Sequence, residues 1–148
     1  MAILNIRKIG DPVLRSNTRK VEKISDKTWD LLDNMAETMY AAPGIGLAAP
    51  QVGVLLKIIV VDVDDDENGL IELINPEILS YSEEKEIIEE GCLSVPDQTA
   101  DVIRASQIRV KALDREGKEF EFSAKDLLAR AIQHEIDHLN GVLFIDKV

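Results

Sequence analysis

The spacing of apolar residues changes along this chain, and each change marks an element. Between Asp26 and Ala42, Trp29, Leu32, Ala36 and Met39 recur at steps of three and four, with Met35 and Tyr40 widening the stripe. Those steps return to one side of a 3.6-residue turn, which predicts an N-terminal helix docked through that stripe, its aromatic and methionine side chains in the core. Ser25 or Asp26 is placed to cap the start, and Pro43-Gly44 to stop the end. Upstream, Ile3 to Ile9 is a short apolar segment closed by the turn signal Gly10-Asp11-Pro12.

After the helix the period shortens. Lys57 to Val63 is a β-branched run, which predicts a strand covered on both faces. Leu70 to Ile74 predicts another, broken by Asn75-Pro76. Between them, Asp64 to Gly69 is acidic, but it lacks the ligand spacing and distant glutamate of a calcium loop and reads as a solvated turn. Ser82 to Glu86 is charged and reads as exposed. Val102 to Leu113 and Lys118 to Phe122 flank Asp114-Arg115-Glu116-Gly117, which predicts a β-hairpin.

The helical period then returns. Leu128, Ala131, Ile132, Ile136 and Leu139 form one broad face, with Arg130, Asp137 and Asn140 on another. Ser123-Ala124-Lys125-Asp126 has the form of a capping box, and Gly141 is placed to end the helix in the left-handed conformation.

Length and charge narrow the class. With 148 residues, no internal repeat and no linker, one domain spanning residues 1–148 is expected, large enough to bury its own core. The net charge of −11 leaves no surplus of Lys and Arg for phosphates, so direct DNA binding is not expected. No apolar run resembles a secretory signal or a membrane span, and the lone cysteine cannot form an internal disulfide. The expected location is cytoplasmic, with no membrane partner.

The chemistry concentrates on the second helix. Both histidines of the chain, His134 and His138, stand four residues apart with Glu135 between, in the order His-Glu-x-x-His. Four residues of helix turn about 40° past a full circle, so both rings reach one ion from one face. Glu135 stands to the side, within reach of a proton on an attacking water. Cys92, in Glu90-Gly91-Cys92-Leu93-Ser94, reads alone as a small buried hydrophobe, but beside two histidines it supplies a third ligand. One sulfur and two nitrogens leave a fourth position open, the pattern of a catalytic rather than a structural site. A bound dication lowers the pKa of water from near 16 to roughly 7. Gln51 and a backbone N–H near Cys92 are candidate donors to the oxygen that becomes negative during attack on a carbonyl. Gly44-Ile45-Gly46-Leu47-Ala48-Ala49-Pro50-Gln51 lacks the ending of a phosphate loop; alone it reads as a tight helix-to-strand connection. Glu90 and Arg104 read either as an ion pair steadying the Cys92 loop or as two solvated charges.

Gly44 to Gln51, Glu90 to Ser94 and Gln133 to Gly141 together resemble, in order and spacing, the three signature motifs of bacterial peptide deformylases. The resemblance implies an α+β fold in which mixed or antiparallel sheets surround the metal helix. It implies hydrolytic removal of formate from the N-formylmethionine of nascent peptides. Carried over motif by motif, Cys92, His134 and His138 hold the metal and Glu135 is the general acid/base. Gln51 and the backbone N–H of Leu93 stabilise the oxyanion. Backbone groups of Ile45, Gly46 and Gly91 hold the peptide as an added strand, and Ile88, Leu127 and His134 wall the methionine pocket. The implied ion is Fe²⁺, with Zn²⁺, Ni²⁺ or Co²⁺ able to substitute.

Transient contact with the ribosome is a further implied partnership, though the longer C-terminal helix that many relatives use for it is not expected here. Arg130 stands where several relatives place an aliphatic residue beside the methionine pocket, and Thr99 where some have arginine, so the rim is expected to differ. An endopeptidase of the His-Glu-x-x-His type and a binding module without turnover are the competing readings. Few residues remain after His138 to supply the protease's usual third ligand, and both Gln51 and Glu135 are present for turnover.

Overall fold

Strand β2 (Ile58–Val61) shows how the β-branched run shapes the molecule: all four residues are buried, and they alternate between two helices. Ile59 and Val61 pack with Leu128, Ile132 and Leu139 of α2 (Asp126–Leu139), while Ile58 and Val60 pack with Leu32, Met35 and Met39 of α1 (Asp26–Ala41). A strand turns successive side chains to opposite faces, so a run apolar at every position needs a cover on each side. Each such side chain contributes about 1.5–3 kcal/mol when fully buried. In the computed structural model, residues 2–64 and 69–147 are described.

The remaining strands are β1 (Gly46–Ala48), β3 (Ile71–Tyr81), β4 (Lys85–Cys92), β5 (Val95–Ala105), β6 (Gln107–Leu113) and β7 (Glu119–Lys125). Five form one antiparallel sheet in the order β1-β2-β3-β6-β7; β4 and β5 form a separate antiparallel pair. A third apolar cluster, Leu14, Val95, Val102, Leu143 and Phe144, lies under that pair. The α+β class and the central second helix agree with the sequence reading, and every strand pairing in the two sheets is antiparallel.

Several boundaries differ from expectation. Asn75-Pro76 does not break β3, which continues to Tyr81 through a register shift between Ile74 and Glu77. Asn75 has φ +53, and its side chain accepts from the Val21 N–H at 2.8 Å and donates to the Val21 carbonyl at 3.0 Å. Its amide thus stands in for a missing strand partner, and the bend is a bulge rather than an end. Val102 to Leu113 is two strands, not one: Ser106 turns the chain from the hairpin into the large sheet, its N–H bonded to the Glu84 carbonyl at 3.0 Å. The Asp114 turn joins β6 to β7 as expected, with Asp114 Oδ1 accepting from the N–H groups of Glu116 and Lys118.

Ser123 caps nothing. It lies in β7 and accepts from Arg109 Nη1 at 3.0 Å, while α2 starts after Lys125, with the Asp126 N–H on the Ser106 carbonyl. Trp29 and Tyr40, expected in the core, are 40% and 49% exposed. Both have a polar tip to satisfy and sit at the edge of the stripe, where indole Nε1 donates to the Arg115 carbonyl at 2.8 Å and the Tyr40 hydroxyl donates to Asp62 at 2.5 Å. Of the segment Asp64 to Gly69, expected as a solvated turn, residues 65–68 lie outside the described residues.

Candidate active site

Two elements held in different ways bring the donors together. α2 presses its apolar face on the large sheet and turns His134 and His138 the other way, their ring centroids 5.1 Å apart. Cys92 ends β4 in the tight turn to β5, where it pairs with Val95. Its Sγ lies 3.3 Å from His138 Nε2, and one donor atom from each of Cys92, His134 and His138 lies within 4.8 Å of the others. Among the described residues this is the one cluster of metal-ligating side chains so arranged.

The donor set fits a divalent ion. His134 Nδ1 donates to Glu90 Oε1 at 3.0 Å, which in the neutral ring places the proton on Nδ1 and turns Nε2 to the ion. One soft sulfur and two imidazoles suit zinc, iron, cobalt or nickel rather than calcium or magnesium. Burial opposes a proton on His134, but hydrogen bonds to Cys92 and Glu90 outweigh it and raise its pKa to about 10. Burial lowers His138 to about 3, helped by the charges of His134 and Arg104. A cation at these donors competes with the His134 proton, because imidazole must be neutral to bind it.

Glu135 is buried, and its Oε1 has no hydrogen-bond partner among the described residues. Burial pushes its carboxyl up to about 7, against the pull of His134 and Arg104. That value suits a group that must both take and return a proton at neutral pH. The carboxylate sits against β1: a Cβ built on Gly46 would stand 2.5 Å from Glu135 Oε2, so only glycine leaves room.

Gln51, on a 3₁₀ turn (Ala49–Val52), is likewise buried and held at both ends of its amide. Oε1 accepts from the Ala48 N–H at 2.9 Å; Nε2 donates to Ser94 Oγ at 3.1 Å and lies 3.6 Å from Cys92 Sγ. One amide hydrogen is thereby committed to Ser94, while the other is directed to the sulfur side of the cluster.

Glu90 and Arg104, open in the sequence between ion pair and solvated charges, form a buried ion pair. Arg104 Nε and Nη2 donate to Glu90 at 2.5 and 3.0 Å, and Nη1 donates to Asp137 at 2.9 Å. Burial would raise the Glu90 carboxyl, but hydrogen bonds from His134 and Arg104 bring it down to about 2. Arg130, expected beside the pocket, does line the cleft, but it is buried and its head is bonded inward: its Nη1 on Glu90 and on the Val102 carbonyl at 3.0 Å, its Nη2 on the Glu86 carbonyl at 2.8 Å.

A cleft of about 520 Å³ opens beside the cluster. Gln51, Cys92, His134 and Glu135 lie on its walls, and so do Gly46, Gly91 and Leu93. Ile45, Ile88 and Leu127, each between 41% and 48% exposed, form an apolar mouth. Thr99 lines it too, whereas His138 lies behind the wall. Sequence reasoning gave Ser94 no role, although it completes the Gln51 anchor. Nothing in its spacing distinguishes it from an ordinary turn serine.

The chain matches the family model described as polypeptide deformylase over residues 3–148. It is 65% identical to the peptide deformylase of Halothermothrix orenii over 148 residues, covering 100% of this chain and 95% of that protein. It is 53% identical over 147 residues to that of Clostridium botulinum, covering 99% and 97%. Among solved structures, the peptide deformylase of Thermotoga maritima superposes with a TM-score of 0.94 at 44% identity, over 99% of this chain and 97% of that one. A Synechococcus elongatus peptide deformylase in complex with actinonin gives 0.94 at 44% identity, over 98% and 80%.

Proposed function

This chain belongs to the polypeptide deformylase family, and from that premise we infer that its cleft hydrolyses the formyl amide of N-formylmethionyl peptides, releasing formate. The observation that carries the site assignment is the pairing of a three-donor cluster with a buried carboxylate whose Oε1 has no hydrogen-bond partner among the described residues.

Cys92, His134 and His138 hold one divalent ion, Fe²⁺ in the cell, with Zn²⁺, Ni²⁺ or Co²⁺ able to take the same donors. When bound, such an ion would supply Lewis acidity and make a water easier to ionise at neutral pH. Glu135 accepts a proton from the attacking water as its oxygen bonds to the formyl carbon. It then delivers a proton to the amide nitrogen as the C–N bond breaks, so formate and a free methionyl amine leave. Gln51, through the amide hydrogen that is not bonded to Ser94, and the Leu93 N–H donate to the carbonyl oxygen as it gains charge; losing one such donor costs about 3–4 kcal/mol in the barrier.

β1 is an edge strand of the large sheet, which supports docking of the peptide as an added strand against Ile45 and Gly46, with Gly91 on the opposite side. The apolar mouth of Ile88 and Leu127 suits a methionine side chain. No described helix is long and apolar enough to cross a membrane. A cytoplasmic enzyme, one catalytic domain over residues 1–148 in transient contact with the ribosome, is the setting this substrate implies.

The test is formate release from formyl-Met-Ala-Ser beside a longer unformylated peptide. Formate with no internal cleavage is the expected result. Internal cleavage without formate would make the protein an endopeptidase.

A further inference from the structure

Arg130 enters none of the steps above, yet its side chain crosses the seam between α2 and the β4–β5 pair. From α2 it touches both strands of the hairpin, through the Glu86 carbonyl of β4 and the Val102 carbonyl of β5, and it also bonds Glu90. Arg104 crosses the same seam in the other direction, from β5 to Asp137 on α2. Glu90 lies where the two meet: Oε2 is shared by Arg104 and Arg130, and Oε1 by Arg104 and His134. Two guanidinium groups and two carboxylates balance in charge.

The sulfur donor rides on the hairpin and both nitrogen donors ride on the helix. Among the described residues, no strand pairing joins the hairpin to the large sheet. Apolar contact is non-directional and tolerates sliding, whereas a planar fork bonded to two main-chain carbonyls and a carboxylate does not. We propose that Arg130 is a positioning residue for the metal ligands: it fixes the hairpin, and so Cys92, relative to α2, and through Glu90 it fixes the His134 ring. This rests on the ligand assignment made above.

The test uses the full chain loaded with Co²⁺, whose visible spectrum reports ligand type and geometry. The parent is expected to show a sulfur-to-cobalt charge-transfer band that Cys92→Ser abolishes. Arg130→Met is expected to release cobalt to a chelator about tenfold faster or more, with displaced ligand-field bands. Arg130→Lys, which keeps the charge but not the fork, is expected to fall between, about threefold faster than the parent. Parent-like release and spectrum in folded Arg130→Met, with only KM for formyl-Met-Ala-Ser raised, would make Arg130 a cleft wall and overturn the proposal. Should Arg130→Met not fold, Arg130→Lys decides alone: faster release supports the role, and the parental rate overturns it. A parent without the sulfur band would overturn the ligand assignment itself, a result separable from failure of the Arg130 variants.

Discussion

α2 and the β4–β5 hairpin each bring part of the donor set to the cleft, and they are anchored by different physics. The helix is seated by apolar burial: Leu128, Ile132 and Leu139 pack on Ile59, Val61 and Leu73 of the large sheet. The hairpin has a smaller apolar cluster beneath it, around Val95, Val102 and Phe144, and is fastened to the helix by Glu90, Arg104, Arg130 and Asp137. Burial fixes an element's depth and roughly its face; hydrogen-bonded ions fix its register. On the proposed ligand assignment, the difference teaches that apolar burial seats the helix while the charged contacts set the register of the sulfur donor against it.

Glu135→Ala sharpens that comparison most, because it removes the proposed proton carrier while leaving both anchors intact. Formate release is expected to fall by about 10²–10⁴-fold at unchanged metal content, read by a turnover assay beside metal analysis. Near-native turnover would take the carboxylate out of the mechanism. Arg104→Ala attacks the charged anchor. Breaking a buried ion pair from one side costs about 3–5 kcal/mol, so stability is expected to fall and metal to be held more weakly, measured by denaturant unfolding and chelator competition. Unchanged metal affinity would reduce the network to a structural ornament.

Ile132→Ala attacks the apolar anchor instead. Its expected cost is about 2–5 kcal/mol from the cavity left behind, read as a lowered unfolding midpoint in metal-free and metal-loaded protein alike. If metal affinity fell more than with Arg104→Ala, the division of labour between the halves would be reversed. Arg109→Ala is the smallest change: its contact with Glu121, at 3.6 Å between half-exposed side chains, is outside both anchors. A shift below about 0.5 kcal/mol in unfolding free energy is expected.

The helix half was readable in the sequence because its physics is periodic. Apolar steps of three and four marked α2, and the His134-Glu135-x-x-His138 spacing needed no partner to be understood. β2 was readable for a similar reason, since four successive buried residues need covers on both faces. The charged half was not. Glu90, Arg104 and Arg130 meet only in space, 14 to 40 residues apart, and a charge on a strand looks the same whether it faces water or a partner. Arg130 was placed beside the pocket by resemblance, and it does line the cleft; its three acceptors on another element were invisible. Asn75-Pro76 looked like a strand end because local sequence shows a turn signal but not the Val21 main chain that satisfies it. Trp29 and Tyr40 were misplaced because periodicity ranks them as apolar and ignores their polar tips.

All of this depends on one ion shared between the two halves, and X-ray absorption on the metal-loaded chain addresses that directly. The account predicts a single sulfur scatterer at about 2.3 Å together with nitrogen or oxygen neighbours at about 2.0–2.1 Å for the zinc form, and loss of the sulfur shell in Cys92→Ser. A first shell of nitrogen and oxygen alone in the parent protein would contradict it.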